Sequence, residues 1–243
     1  MTSKLESCGP TYIIASVQIW DEKALEQLAE VPGIWRTCHT PNELSLILSE
    51  CDPTYIFFLH WRWIVPENIV ESIECVCFHM TDLPFGRGGS PLQNLISRGI
   101  YQTQLTSLRM VKDLDAGPIY FKHPLALKGT AAEIYRSAEA LSLLLIAKII
   151  ALKPIPIPQI GTPVIFKRRT PDQSELPAGL SGEKLYDFIR MLDAPGYPKA
   201  FCFNNSLKLE FSDANLTESG LVTAHVECSL IGCADNEQRI KPT

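Results

Sequence analysis

The sequence predicts an α/β fold: a doubly wound parallel sheet of the Rossmann-like type, with a small C-terminal α+β extension. Between residues 11 and 153, short apolar runs rich in β-branched and aromatic residues alternate with stretches in which apolar residues recur at helical spacing. Such alternation is typical of parallel strands joined by helical crossovers. With 243 residues, 46% of them hydrophobic, the chain is long enough to bury a sizeable core.

Four strands and three helices are predicted in the first third of the chain. The strands are apolar runs at residues 11–20, 34–40, 54–61 and 74–79. The helices fall between them, at residues 21–31, 41–51 and 66–73. The first helix has acidic residues in its first turn, which favour the positive end of the helix dipole. The second begins with Pro41, whose fixed backbone angle suits the first helical position.

The next predicted elements complete the sheet and cover it. Residues 90–99 form a short helix with Ser90 as its cap and Gly99 as its stop signal. Two strands or a hairpin are predicted around the turn at residues 112–117. Residues 130–153 form the longest helix, apolar on several sides and therefore largely buried.

The chain is expected to consist of a large core followed by a small unit. The core comprises residues 1–153, and a Pro-rich linker with a connecting segment covers residues 154–181. A C-terminal subdomain at residues 182–233 contains a helix, a probable hairpin on Asn204–Asn205 and a final strand. Residues 234–243 are expected to form a frayed tail.

Composition narrows the possible functions. The net charge of −5 argues against a nucleic-acid partner, whose phosphates need a basic face. The first residues do not resemble a signal peptide, and no run of about 18 apolar residues is present, so no membrane association is expected. The eight cysteines show no Cys-x-x-Cys spacing, so we expect reduced thiols, no metal site and a cytoplasmic location.

One short segment carries the strongest chemical signal. His79 ends a predicted strand, and Gly86-Arg87-Gly88-Gly89 follows it. In doubly wound sheets the active crevice lies beyond the carboxyl ends of the strands. The segment can be an ordinary turn between a strand and a helix, or a catalytic histidine beside a backbone that a small substrate approaches. Neither a GxGxxG fingerprint nor the Lys-Ser/Thr of a Walker loop is present, so neither dinucleotide binding nor NTP hydrolysis is expected.

Several motifs in order resemble the formyltransferases that use 10-formyltetrahydrofolate. His79 is followed by Leu83-Pro84, Arg87-Gly88, Pro91 and Leu114-Asp115-Ala116-Gly117. WIVP at residues 63–66 matches the folate loop of that family, and IRMLDAPGYPKAF at 189–201 is similar to its C-terminal Arg-x-x-Asp-x-x-x-Tyr-Pro-x-Ala segment. The resemblance covers about residues 54–211. The sequence of residues 79–96, together with FKRRTPDQSEL at 166–176, looks closest to that of sugar N-formyltransferases of the pseudaminic-acid type.

The resemblance implies a role for each matching residue. His79 is expected to stabilise the oxyanion formed during direct formyl transfer, and Asp115 to hold the imidazole and accept the proton of the amine. The folate donor is expected to contact Trp63, Ile64, Val65, Asp113 and Leu114. The amino-sugar side is expected to be lined by Arg87, Gly88 and Gly89. The basic run Lys167, Arg168 and Arg169 is either a solvated face or a contact for a diphosphate.

One position departs from the family pattern. The family usually has Asn two residues before the histidine, where this chain has Cys77. That Asn donates to the developing oxyanion, and a thiol donates weakly. Gln93 is therefore a third catalytic candidate, expected to supply the missing amide; otherwise it is an ordinary exposed glutamine.

The resemblance favours a nucleotide-linked amino sugar, such as a UDP-4-amino-4,6-dideoxy sugar, as the acceptor of the formyl group. One alternative is formyl transfer to an aminoacyl group on tRNA or on a carrier protein. Initiator-tRNA formyltransferases resemble this chain but add a larger, basic barrel, so the acidic composition counts against tRNA. The other alternative is a folate-binding protein with little catalysis, motivated by Cys77.

Overall fold

The computed structural model describes residues 9–19 and 22–230, and these divide into two compact units. The first unit comprises the chain up to Pro91 together with Gln102–Ala126 and Tyr135–Lys167. The second comprises Leu92–Tyr101, Leu127–Ile134 and the chain from Arg168 onward. This division is interleaved, whereas the sequence predicts consecutive segments with boundaries after residues 153, 181 and 233. The expected tail at 234–243 and residues 1–8 lie outside the described residues.

The first unit is built on a six-stranded sheet with the order β2-β1-β3-β4-β6-β7. Its strands are β1 (Thr11–Ser16), β2 (Ile34–Cys38), β3 (Tyr55–Leu59), β4 (Glu74–His79), β6 (Gln102–Arg109) and β7 (Ile119–Ala126). The first four are parallel, and β6 and β7 are antiparallel to their neighbours. The predicted parallel-dominated α/β fold is therefore confirmed.

Helices pack on both faces of this sheet. They are α1 (Glu22–Glu26, continued by a 3₁₀ turn at Gln27–Glu30), α2 (Pro41–Glu50), α3 (Glu67–Ser72) and α5 (Ala131–Leu152). Because side chains alternate along a strand, Phe57 of β3 packs with Leu143 and Ile146 of α5, whereas Phe58 packs with Leu44 of α2. The sheet is thus doubly wound, with one apolar cluster on each face.

A two-stranded parallel sheet in the first unit is the element that the sequence pattern does not show. It joins β5 (Phe85–Gly88), which is the glycine segment itself, to β8 (Val164–Phe166), which lies in the expected linker. Gly88 has a φ of +105°, and a Cβ at this position would lie 2.4 Å from the Phe166 carbonyl oxygen. A glycine is required here because the two backbones approach so closely.

The second unit contains α6 (Gly182–Arg190) and an antiparallel sheet of β9 (Ala200–Asn204), β10 (Leu207–Leu216) and β11 (Val222–Leu230). Most of the short helix α4 (Pro91–Ile96) also belongs to it. The expected hairpin is present, with Asn204 paired to Leu207 and Asn205 in the left-handed conformation at a φ of +53°. A 3₁₀ turn at Pro171–Ser174 precedes α6.

No helix within residues 9–19 and 22–230 combines the length and the apolar character that a membrane crossing needs.

Replacing Phe57 by alanine should lower the free energy of unfolding by about 3–5 kcal/mol, because its fully buried ring lies at the centre of the cluster beneath α5. Chemical denaturation followed by circular dichroism measures this loss. Leu46→Ala on α2 is the matched control, since that leucine is 62% exposed and its removal should change stability by less than about 0.5 kcal/mol. Equal losses in the two variants would contradict the packing described above.

Candidate active site

His79 lies at the carboxyl edge of the parallel strands, as the sequence analysis predicts. It is the last residue of β4 and is 8% exposed. Alternation along β4 places it on the same side as Cys75 and Cys77, which pack with the cluster formed by α2 and α3. The imidazole therefore faces the side of the sheet on which a pocket is found.

Both ring nitrogens of His79 have neighbours. Nε2 lies 2.7 Å from the carbonyl oxygen of Gly86, and a carbonyl can only accept, so Nε2 is the donor of this hydrogen bond. Nδ1 lies 3.7 Å from Oδ2 of Asp115, which is too long for a hydrogen bond but within the range of an ion pair when the ring is protonated. The imidazole is thus oriented by the glycine segment and faces a carboxylate.

Asp115 is held in position by its backbone and by a hydrogen bond. It has a φ of +52°, an uncommon conformation for a residue other than glycine. Its Oδ2 accepts a hydrogen bond of 2.8 Å from the backbone amide of Gly88, and its side chain is only 10% exposed. The same oxygen therefore faces both an N–H donor and the imidazole.

The turn that carries Asp115 lies against the end of β6. A Cβ on Gly117 would lie 1.8 Å from the carbonyl oxygen of Arg109, so only glycine fits there. The Arg109 amide donates to the Pro118 carbonyl oxygen at 2.9 Å, which closes the base of the loop. The glycine of the Leu-Asp-Ala-Gly motif thus allows the loop to fold back.

A pocket of about 270 Å³ adjoins this pair. Its walls are mostly apolar and come from the segment before α3, α3 itself, β4, the end of β6 and the loop after β6. The lining residues are Trp63, Ile64, Val65, Pro66, Glu67, Val70, Cys77, Leu108, Arg109, Met110, Val111, Lys112, Leu114, Asp115 and Gly117. A mostly apolar cleft with a few polar groups at one end is typical of a site for a small organic ligand.

Four of the five predicted folate contacts line this pocket. Trp63, Ile64, Val65 and Leu114 all belong to its walls. Ile64 is 80% and Leu114 58% exposed, which leaves two large apolar side chains available to a ligand. Asp113 is not part of the lining; its carbonyl oxygen accepts from the Ala116 amide and shapes the turn.

Cys77 also lines the pocket, at the position where the resembling family has Asn. Burial raises the pKa of its thiol well above the usual value, and the negative charge of Asp115 raises it further. The thiol therefore stays protonated at neutral pH and cannot act as a nucleophile.

The residues predicted to line the acceptor side have partners within the first unit. The guanidinium of Arg87 donates twice to Gln159, at 3.1 and 2.8 Å. The amide of Gly88 donates to Asp115, and that of Gly89 to the Phe166 carbonyl oxygen at 3.2 Å. These contacts shape the site itself, and the acceptor role of the three residues stays a prediction.

Gln93 lies in the second unit and is buried, not exposed as an ordinary surface glutamine would be. Its Nε2 donates to the carbonyl oxygen of Met191 at 3.0 Å. The amide thus donates to the local backbone, and its predicted role at the oxyanion stays a prediction.

Gln159 is the site residue that the sequence analysis missed. Its Nε2 donates to the carbonyl oxygens of Asp115 and Gly117, each at 2.8 Å. The residue is the single polar side chain within the segment PIPIPQIG, which the sequence analysis treats as a linker. A lone amide among prolines and isoleucines is the signal that could have drawn attention to it.

Among residues 9–19 and 22–230, no group of three or more His, Cys, Asp or Glu side chains is arranged to hold a metal ion.

Comparison with known proteins identifies the family. A solved structure of methionyl-tRNA formyltransferase from Clostridium thermocellum superposes with a TM-score of 0.84 at 40% sequence identity, over 91% of this chain and 99% of that one. The chain belongs to the formyltransferase family. Residues 171–229 match the family model of the methionyl-tRNA formyltransferase C-terminal domain. The methionyl-tRNA formyltransferase of Wolinella succinogenes is 24% identical over 78% of the chain, which spans 64% of that relative's length.

These comparisons correct the expected acceptor. The sequence motifs and the net charge predict a nucleotide-linked amino sugar as acceptor and no nucleic acid, whereas the relatives at higher identity are methionyl-tRNA formyltransferases. A 4-N formyltransferase from Francisella tularensis shares only 13% identity at a TM-score of 0.60, which shows the fold alone. The short motifs around His79 define the shared chemistry of formyltransferases and do not identify the acceptor, so the sugar interpretation is wrong.

The expected one-carbon donor, 10-formyltetrahydrofolate, agrees with the family. A structure of HypX from Aquifex aeolicus, which shares the fold at a TM-score of 0.70 and 16% identity, is a complex with tetrahydrofolic acid. The prediction that the chain is a formyltransferase using this donor is confirmed at the level of the family.

The C-terminal segment that carries the family resemblance is structural in this formyltransferase. Arg190 is 4% exposed and donates to the carbonyl oxygens of Leu127 and Gly129 at 2.9 and 2.8 Å. Its Nε also donates to Asp187 at 2.7 Å. Three strong acceptors thus satisfy a buried cation, which explains why this position holds Arg rather than Lys.

The native Cys77 thiol should react with iodoacetamide at pH 8 at least tenfold more slowly than Cys228, because burial and Asp115 keep it protonated and the thiolate is the reactive form. Time-resolved alkylation with peptide mass spectrometry measures both rates. Cys228, exposed on β11, is the internal control, and both thiols should react alike after unfolding. Equal native rates would contradict the environment described for Cys77.

Proposed function

We propose that this formyltransferase moves a formyl group from 10-formyltetrahydrofolate to the amino group of the methionine carried by tRNA. The observation that carries the proposal is the His79–Asp115 pair beside an apolar pocket, in a chain that is 40% identical to a methionyl-tRNA formyltransferase over 91% of its length. The acceptor is inferred from the names of the relatives, and the reaction mechanism is inferred from the geometry of the His79–Asp115 pair.

The pocket fits the ring system of a folate donor. A flat heterocycle suits the apolar walls formed by Trp63, Val65 and Met110. Its polar edge suits the end of the pocket that is formed by Asp115 and Gly117. At about 270 Å³ the pocket lies just below the usual range for drug-sized ligands of roughly 300–1,000 Å³, so it suits the rings better than the whole molecule.

His79 is the group suited to stabilise the charge that develops on the formyl oxygen. Protonated, its ring carries a positive charge and lies within the ion-pair range of Asp115. The attack of a neutral amine on the formyl carbon places a negative charge on the oxygen, which a positioned cation stabilises in a site shielded from water. The C–N bond to the folate then breaks, and the departing nitrogen takes up a proton.

Asp115 is the base suited to accept the proton that the attacking amine must lose. Its Oδ2 is already oriented by the Gly88 amide and lies 3.7 Å from Nδ1 of His79. The imidazolium gives its Nδ1 proton to the leaving nitrogen and then takes up the proton from Asp115, so the transfer needs no external acid. Contacts of this kind are often long in free enzymes and shorten when substrate binds.

The negative net charge limits how this chain can hold a tRNA. With 22 basic against 27 acidic residues, the chain has no overall positive charge that would attract the phosphates of a tRNA. Recognition would then rest mainly on the aminoacyl end, where the methionine amine must reach His79. An aminoacyl group on a carrier protein offers the same amine without the phosphates and is the alternative acceptor.

Incubation with 10-formyltetrahydrofolate should convert methionyl-tRNA to formylmethionyl-tRNA at a rate proportional to protein concentration. The reason is that the catalytic pair needs only an amine presented beside the donor. Mass spectrometry of the aminoacyl adenosine released by nuclease measures the product. Free methionine and methionine on a carrier protein serve as comparison acceptors.

Formylation of the carrier-bound or free amino acid with tRNA refused would contradict the proposed acceptor. Tight binding of tetrahydrofolate without transfer to any amine would support the folate-binding alternative, which rests on the replacement of the family Asn by Cys77.

Replacing His79 by Asn, or Asp115 by Asn, should lower kcat by on the order of 10²–10⁴, because each variant removes the charge but keeps the approximate shape. Tetrahydrofolate affinity should change less than about threefold in the His79 variant, since His79 is not part of the pocket lining. Steady-state kinetics and fluorescence titration give the two quantities. His39→Asn is the control, a histidine that bonds the Ser16 carbonyl oxygen. More than a tenth of wild-type kcat in His79→Asn would remove this residue from the mechanism.

A further inference from the structure

We infer that Gln159 is a positioning residue: its side-chain amide fixes the turn that carries Asp115 and so sets the distance between that carboxylate and His79. This inference rests on the proposed function, since it deepens the account of the same site. The carboxamide of Gln159, in the segment between α5 and β8, contacts both the turn and β5.

Every hydrogen-bonding group of this amide is used. Nε2 donates to the carbonyl oxygens of Asp115 and Gly117, each at 2.8 Å. Oε1 accepts from Nε and a terminal nitrogen of Arg87, at 3.1 and 2.8 Å. An amide has two donor hydrogens and one oxygen with two lone pairs, so the four contacts use all of its donors and acceptors. The side chain is fixed in one orientation by four contacts.

The two carbonyl contacts hold the part of the turn that is under strain. Asp115 adopts a φ of +52°, which a non-glycine residue keeps only when its surroundings enforce it. Tying both Asp115 and Gly117 to one amide restrains the backbone on either side of Ala116. Without these bonds the turn could relax, and the carboxylate would move with it.

The contact with Arg87 links this restraint to the glycine segment. Arg87 is adjacent in sequence to Gly88, whose backbone amide donates to the Asp115 carboxylate. Thus β5 holds Asp115 twice, once at the carboxylate through Gly88 and once at the backbone through Arg87 and Gln159. The two links form a closed ring of hydrogen bonds, and such rings hold geometry better than single contacts do.

No other common side chain reproduces these contacts. Glutamate keeps the bond with Arg87 but sets a carboxylate against two carbonyl oxygens, which repels the turn. Leucine keeps the approximate size and removes all four hydrogen bonds. The pair Gln159→Glu and Gln159→Leu therefore separates the link to the turn from the link to Arg87.

The first measurement does not depend on the acceptor. Hydrogen exchange of the Gly88 amide, whose hydrogen bond ends on Asp115, should be at least tenfold faster in Gln159→Leu and Gln159→Glu than in the wild type. Gln102→Leu is the matched control, because Gln102 is an exposed glutamine on β6, and it should leave the exchange unchanged. Unchanged Gly88 exchange in both Gln159 variants would overturn the inference, whatever the enzyme formylates.

The second measurement tests whether Gln159 acts through Asp115. In Gln159→Leu, kcat should fall on the order of 10–100-fold, while KM for the acceptor changes less than about threefold. In the Asp115→Asn background the same change should lower kcat by less than about threefold, because the group that it positions is already lost. A merely structural role would give the same factor in both backgrounds, and that additivity would overturn the inference. A wild-type kcat near zero on every acceptor would count against the proposed function alone, because the exchange measurement still decides the role of Gln159.

Discussion

The geometry of the site depends on the carboxylate of Asp115, which accepts the Gly88 amide and faces the His79 ring. Gly88 belongs to β5, and β5 is held by β8, where close contact with Phe166 requires glycine. The small two-stranded sheet is therefore the support of the site as well as a connection. Without this sheet, the Asp115 carboxylate that faces His79 at the end of β4 would not be held in position.

Local sequence patterns predict the large sheet because its strands and helices have clear periods. Phe57 and Phe58 point to opposite faces, and each strand and helix around them is recognisable from a few residues. The sheet of β5 and β8 is not predictable in this way. Glycine and proline are poor strand formers, and the pairing of Arg87 with Ile165 joins segments that no short window contains.

The same limit applies to the site. His79 can be singled out because a strand end is a local feature, whereas Asp115 lies in a common type of turn and is singled out only by the resemblance to the formyltransferases. Gln159 acts on that turn from 42 to 44 positions along the chain, so only the fold reveals it. For Gln93, too, the fold adds a contact that no short window of sequence shows, because its Nε2 bonds the carbonyl oxygen of Met191, 98 positions along the chain.

Net charge misled the sequence-based choice of acceptor because it is a sum over the whole surface. Cations near the pocket are already paired, since Lys112 lies 3.0 Å from Glu67 and Arg109 lies 3.1 Å from Glu74. A phosphate that approached these residues would have to compete with the carboxylates for them, so the net attraction is small. The negative net charge therefore weakens the attraction for phosphates without deciding which acceptor the site takes. In the proposed reaction the amine of any acceptor would have to lie beside the His79–Asp115 pair, and the charge of the chain would affect how firmly the rest of the acceptor is bound.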